Sequence, residues 1–228
     1  MGPTAATSAP SLRTRIDAAL ARRGVTAALK AVILALGLFP VGWIGGALVF
    51  DPLLLGANPA ETIVRTTGER ALQFLIYSLA ITPLRRITGI NGLIKFRRML
   101  GLFAFFYAAL HLSSYVGFDR FFVLDEILKD VVKRPFVTVG FLAFLLMTPL
   151  AVTSTQGWIR RLGPSAWTRL HRAAYAVAVL GVVHHWWLAR RDFVWPSIHL
   201  VAVVAVLGWR VLDARRRRIR RKRDGRAV

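Results

Sequence analysis

Six apolar blocks, near 28–50, 67–84, 98–117, 135–153, 169–189 and 195–212, constrain this chain more than any other feature. Crossing a bilayer takes about 20 helical residues. Lipid offers no hydrogen-bond partner to the backbone, so each crossing segment must satisfy its own N–H and C=O groups. The blocks therefore predict an all-α integral membrane protein, a bundle of six transmembrane helices. The second block is the shortest and is bracketed by Arg65, Arg70 and Arg85, so its ends are the least defined. Pro40, among Gly37, Gly42, Gly45 and Gly46, predicts a bend in the first. Hydrophobic residues make up 55% of the 228, more than a soluble domain of this length usually carries.

Charge separates a membrane protein from a nucleic-acid binder. The formal net charge is +21, from 32 Lys+Arg against 11 Asp+Glu. The basic residues flank apolar blocks instead of forming a soluble basic face. Arg13, Arg15, Arg22, Arg23 and Lys30 lie before or at the start of the first span, and Arg85, Arg86, Lys95, Arg97 and Arg98 lie between the second span and the start of the third. Arg160, Arg161, Arg169 and Arg172 lie between the fourth span and the start of the fifth, and 215–226 is densely basic. Segment 119–134 on the other side mixes bases with Asp125, Glu126 and Asp130. The positive-inside rule places both termini in the cytoplasm, with the Arg190-Arg191-Asp192 turn as the exception. The reading gives a disordered, basic arm over 1–27, a transmembrane domain over 28–212 and a basic tail over 213–228. The tail lacks aromatics for stacking on bases, so its expected contact is anionic lipid, not nucleic acid.

The chain has no cysteine and 5 histidines. Disulfides, thiolate-held iron–sulfur clusters, covalent haem attachment through Cys-x-x-Cys-His and thiolate zinc sites are thereby excluded. His111, His171 and His184 lie in apolar stretches, where an ionisable side chain is costly and needs a partner. The partner favoured here is the iron of a b-type haem. At about 1.5 Å per residue, His111 and His184 each stand roughly 20 Å into their spans from the cytoplasmic end. They match in depth, as two axial ligands of one haem must. His171 lies near the cytoplasmic start of the fifth span, and the residue fourteen before His111 is Arg97, not histidine. One haem is expected, and a second would need His171 together with water, a flavin or another ligand.

Helical geometry leaves the second ligand open. On one helix, residues thirteen apart diverge by roughly 140°, so His171 and His184 would not share a face. His185 would return to within about 40° of His171. A π-bulge or kink near Gly181 would realign His184. His199 is expected to be structural.

Several segments together resemble the MsrQ (YedZ) family. They are Thr67-Gly68, Ile81-Thr-Pro-Leu-Arg-Arg86, Arg97-Arg98-Met-Leu-Gly-Leu, Leu110-His111-Leu-Ser-Ser-Tyr115, Thr153-Ser-Thr-Gln156, Leu170-His171-Arg-Ala-Ala-Tyr175 and His184-His185-Trp186. That family is the haem-binding membrane subunit of the protein-methionine-sulfoxide reductase system, within the ferric-reductase-like transmembrane superfamily. The resemblance covers about 30–190. It implies six transmembrane helices in the bacterial inner membrane, haem b and an association with FMN. It also implies electrons drawn from the quinone pool or a cytosolic flavin reductase, and a periplasmic molybdopterin-containing partner that reduces methionine sulfoxide in oxidised proteins. Carried onto this chain, the family's haem ligands fall on His111, His171 and His184, and this carry-over is what favours His184 over His185. The second histidine at 185 and the long Arg-rich tail depart from the family pattern. No FMN-contacting residue is identified.

Two bound imidazoles saturate iron and suit one-electron transfer. With no Gly-x-Gly-x-x-Gly fingerprint and no soluble reductase domain in the sequence, the chain reads as a relay that takes electrons from another molecule. The alternatives are a haem reductase with another acceptor, such as ferric iron, and a haem-free transporter or scaffold. The 117–134 connection is the expected docking loop for the acceptor.

Overall fold

The computed structural model describes residues 11–189 and 192–225. Residues 1–10, 190–191 and 226–228 lie outside that set, and with them Arg190 and Arg191 of the exceptional turn and the first part of the arm expected to be disordered. Among the described residues the fold is all-helical. Each expected span has its helix: α2 (Arg23–Phe50), α3 (Pro59–Thr88), α4 (Ile94–Ser114), α6 (Pro135–Val152), α8 (Ala173–Leu188) and α9 (Val194–Arg223). Three more lie outside the spans: α1 (Leu12–Ala21), α5 (Leu124–Lys133) and α7 (Gln156–Leu170).

Among the described residues, four segments are long and apolar enough to cross a membrane: Arg23–Phe50, Asn91–Asp119, Pro135–Val152 and Val194–Arg220. The other two expected spans differ for separate reasons. Helix α8 is apolar but has only 16 residues. Helix α3 has 30 residues but carries Glu61, Arg65, Glu69 and Arg70 along its first half. Arg65 pairs with Glu69 and Asp192, and Arg70 donates to Gln73, while the second half of the helix packs into the core.

Local chemistry sets the ends of α3. The Asn58 side chain accepts from the Glu61 N–H at 3.2 Å, and Pro59 opens the first turn. Such a cap contributes about 1 kcal/mol. At the other end Gly89 takes a left-handed conformation (φ 73°), which costs glycine little and ends the helix. The core gathers Leu72, Leu75, Ile76 and Leu79 of α3 with Ala104 of α4, Ala143 and Met147 of α6, Val177, Ala178 and Val182 of α8, and Val203 of α9. Large apolar side chains elsewhere on α2 and α9, such as Phe39 and Val201, face outward.

Helix α2 joins through a buried cluster of Ile44 and Ala47 with Leu55 and Ile63, and through a close approach at Gly37. Phe103 packs on Gly37, where a Cβ would fall 2.5 Å from its ring. The fully buried Tyr107 donates its hydroxyl to the Gly37 carbonyl at 2.6 Å. Phe74 stacks on both rings, with centroids at 5.0 and 5.6 Å. Helix α2 runs through Pro40 as one element.

The extramembrane parts hold more helix than the apolar blocks alone indicate. Part of the arm read as disordered is helix α1, and it is docked. Leu20 is buried against Gly92, Asp17 accepts from the Gly92 N–H at 2.9 Å, and Arg13 donates to the Gly89 carbonyl at 2.9 Å. The basic tail does not begin at a break, since α9 continues to Arg223. The 117–134 connection holds a π-helical turn (Tyr115–Asp119) and then α5. Its order comes from buried Asp130, which accepts from Tyr115 at 2.7 Å and pairs with Arg120 and Arg134.

Candidate functional site

Helices α4 and α8 bring the His111 and His184 rings together, with centroids 6.1 Å apart and planes near perpendicular at 79°. The equal depth read from the sequence is the geometry found. Each ring is tied to a different neighbouring helix. His111 Nδ1 lies 2.8 Å from the Val64 carbonyl oxygen of α3, and His184 Nδ1 lies 2.7 Å from the Phe136 carbonyl oxygen of α6. A carbonyl only accepts, so Nδ1 donates and carries the proton on both rings. Nε2 is thereby left on each as a free lone pair, the nitrogen that binds a metal.

The spacing suits one metal between the rings. Metal–imidazole bonds are about 2 Å long, so two opposed imidazoles on one metal hold their ring centres about 6 Å apart. No cluster of three or more His, Asp or Glu that would hold a bare metal ion exists among the described residues. Two protein nitrogens with no third ligand fit a metal whose remaining positions are filled by its own macrocycle.

His171 stands elsewhere. It caps α7 and does not lie on the helix that carries His184. Its ring stacks on Trp167 with centroids at 3.9 Å, and its Nε2 lies 3.2 Å from Thr153 Oγ1. Trp167 in turn donates to the Thr153 carbonyl at 2.9 Å. The angular argument between His171 and His184 assumed one continuous helix, and the chain turns at 171–172 before α8 begins. Helix α8 is α-helical through Gly181. The π turn follows His111 instead, over Tyr115–Asp119.

His185 points away from the pair. Its ring meets His199 at 5.2 Å, and Trp195 lies 6.1 Å beyond. His185 Nε2 and His199 Nδ1 are buried without a hydrogen-bond partner. His184, not His185, is the residue that faces His111.

Two site residues escaped the sequence reading. The His111 ring packs on Gly68 of α3, and the His184 ring packs on Gly140 of α6. The available signal was glycine inside a helix-forming stretch, which costs about 1 kcal/mol against alanine and marks close approach.

Helices of spanning length around a half-buried pair of neighbouring imidazoles mark a multi-pass membrane protein. The family model described as ferric reductase like transmembrane component matches residues 67–182, a stretch holding Gly68, His111, Gly140 and His171 and ending just short of His184. A protein-methionine-sulfoxide reductase heme-binding subunit MsrQ from Herminiimonas arsenicoxydans is 50% identical over 192 residues, 83% of this chain and 87% of the relative. Its namesakes from Caulobacter vibrioides and Xanthomonas euvesicatoria are 50% and 49% identical, covering 71% and 73% of this chain and 77% and 78% of theirs. The chain belongs to the MsrQ family of ferric-reductase-like transmembrane proteins.

Proposed function

We propose that the chain is a haem b electron-transfer subunit. It passes electrons from the quinone pool or a cytosolic flavin reductase to a periplasmic, molybdopterin-containing methionine-sulfoxide reductase. The observation that carries this reading is the opposed pair His111 and His184, each with Nδ1 committed to a carbonyl and Nε2 free. These two residues would hold the haem. When bound, the haem would supply a one-electron carrier. The residues do the rest: the backbone carbonyls orient the rings, and the apolar helices around them limit water and help set the potential.

His171 is proposed as the family's third haem-associated histidine, serving a second haem or an FMN at the other end of α8. Its support is its placement, the side chain being held by Thr153 and Trp167. The proposed topology has six spans in the bacterial inner membrane with both termini cytoplasmic, α3 and α8 completing the four clearly apolar segments. Lipid would then cover the outward apolar faces, and 117–134 would meet the periplasmic partner. The match to ferric reductase like components favours one second reading, the same haem with ferric iron as acceptor.

The test is a reduced-minus-oxidised visible spectrum of the protein purified after haem-supplemented expression, beside single alanine variants. The expected result is a b-type spectrum that is lost in His111→Ala and His184→Ala, retained in His185→Ala and partly reduced in His171→Ala. A colourless wild type, or a spectrum indifferent to His111 and His184, would falsify the proposal and favour a transporter or scaffold.

A further inference from the structure

The two helix pairs that present the histidines are built to one pattern. In the first, α3 supplies Gly68 and, one turn earlier, the Val64 carbonyl, while α4 supplies His111. In the second, α6 supplies Gly140 and, one turn earlier, the Phe136 carbonyl, while α8 supplies His184. The hydrogen bonds match, at 2.8 and 2.7 Å. So does the space. A Cβ on Gly68 would lie 2.9 Å from both Cε1 and Nδ1 of His111, and one on Gly140 would lie 2.7 Å from Cε1 and 2.8 Å from Nδ1 of His184.

Helix geometry explains why glycine stands four residues after the acceptor. In an α-helix the carbonyl of residue i already accepts from the N–H of residue i+4, here the glycine itself. Every Cα–Cβ bond tilts toward the helix N-terminus, so a side chain at i+4 would overlie the turn that holds this carbonyl. Without a Cβ, the second lone pair of the oxygen is open to a donor arriving from the neighbouring helix.

We infer that Gly68 and Gly140 are positioning residues for the two histidines, each admitting an imidazole to the carbonyl one turn upstream and so fixing its tautomer and ring plane. The device occurs twice because two ligands must be presented to one centre. Its action on a bound haem rests on the reading proposed above, whereas the ring geometry stands without it. The tie to a carbonyl makes Nε2 the free nitrogen and raises its basicity. The two cradles together hold the ring planes at 79°, near perpendicular. The other ends of these pairs do not share the device: Ser78 donates to the Arg97 carbonyl at 3.0 Å, and Thr153 faces His171.

In low-spin ferric haem the angle between axial imidazole planes governs the spread of the EPR g-values. The experiment compares Gly68→Ala, Gly140→Ala and, as control, Gly208→Ala, where an added Cβ meets nothing within 4 Å. With the full haem-loaded chain, the expected result is a shifted largest g-value and a moved midpoint potential in the first two and neither in the third. Unshifted signals in Gly68→Ala and Gly140→Ala, or an equal shift in Gly208→Ala, overturn the inference.

Should the glycine variants not accumulate, ¹⁵N-histidine NMR of haem-free wild type reads the same geometry. Both His111 and His184 are expected as the Nδ1-protonated tautomer, and an Nε2-protonated ring at either position overturns the inference. A wild type that binds no haem yet shows both rings protonated at Nδ1 upholds the cradle and overturns the haem reading instead.

Discussion

Arg210 reaches from α9 to two other helices, and the helix it serves lacks a donor there. Its Nη2 donates to the Leu79 carbonyl of α3 at 2.6 Å, and its Nη1 donates to the Tyr175 hydroxyl of α8 at 2.8 Å. The guanidinium also lies over the Tyr175 ring, 5.0 Å from its centroid. Four residues after Leu79 comes Pro83, inside α3. Proline has no N–H, and its ring crowds the carbonyl one turn earlier, so the helix cannot satisfy Leu79. Arg210 supplies the missing donor. Arg210→Met keeps an apolar stem and removes both bonds. A hydrogen bond from a charged donor contributes about 1.5–3 kcal/mol, and a buried acceptor left alone costs about 1–3 kcal/mol. The desolvation of the guanidinium, whose Nε is buried without a partner, offsets part of the gross loss. The expected net destabilisation is about 2 kcal/mol. Pro83→Ala returns an N–H to the Leu79 carbonyl, so in that background Arg210→Met should cost about 1–2 kcal/mol less. Denaturant or thermal unfolding of wild type, both single variants and the double variant in one detergent measures this coupling. Additivity within about 0.5 kcal/mol would refute the argument that arginine substitutes for the missing proline N–H.

Two other substitutions probe how the helices are held. Gly37→Leu drives a side chain into the Phe103 ring and disturbs the Tyr107 bond to the Gly37 carbonyl. Overpacking of this kind costs about 1–3 kcal/mol, so its unfolding midpoint should fall, while Gly42→Leu, with open space around it, should not move. Asp130→Ala strips the buried carboxylate from Tyr115, Arg120 and Arg134 and leaves the Arg120 charge without its closest partner. Breaking a buried pair costs about 3–5 kcal/mol, less here because Arg134 is half exposed. Faster tryptic cleavage between 120 and 134 is the expected readout, and wild-type cleavage rates would refute it.

The histidine pair was legible in the sequence because depth in a helix is a linear function of residue number. Counting from the basic ends put His111 and His184 at one height, and they meet there. Azimuth was not legible in the same way. It depends on where a helix starts, and the break at 171–172 removed the continuity on which the 140° divergence relied. The choice between His184 and His185 rested on resemblance alone until packing turned one toward His111 and the other toward His199. The helices in the connections were missed for a related reason. Segments 12–21, 124–133 and 156–170 carry too few apolar residues to register as spans, and their order comes from contacts such as Leu20 on Gly92 and Asp130 with Tyr115.

By itself the sequence determined that this chain is helical and membrane-embedded. Apolar blocks of spanning length have no other stable solution in lipid, because every backbone bond must close within its own segment. It also determined which histidines stand level, since rise per residue is fixed by the helix. Tertiary structure alone decided which nitrogen of each ring is free, because that depends on the Val64 and Phe136 carbonyls of neighbouring helices. It alone gave Gly68, Gly140 and Pro83 their meaning. A missing side chain or a missing N–H acts only through what another helix brings to that place.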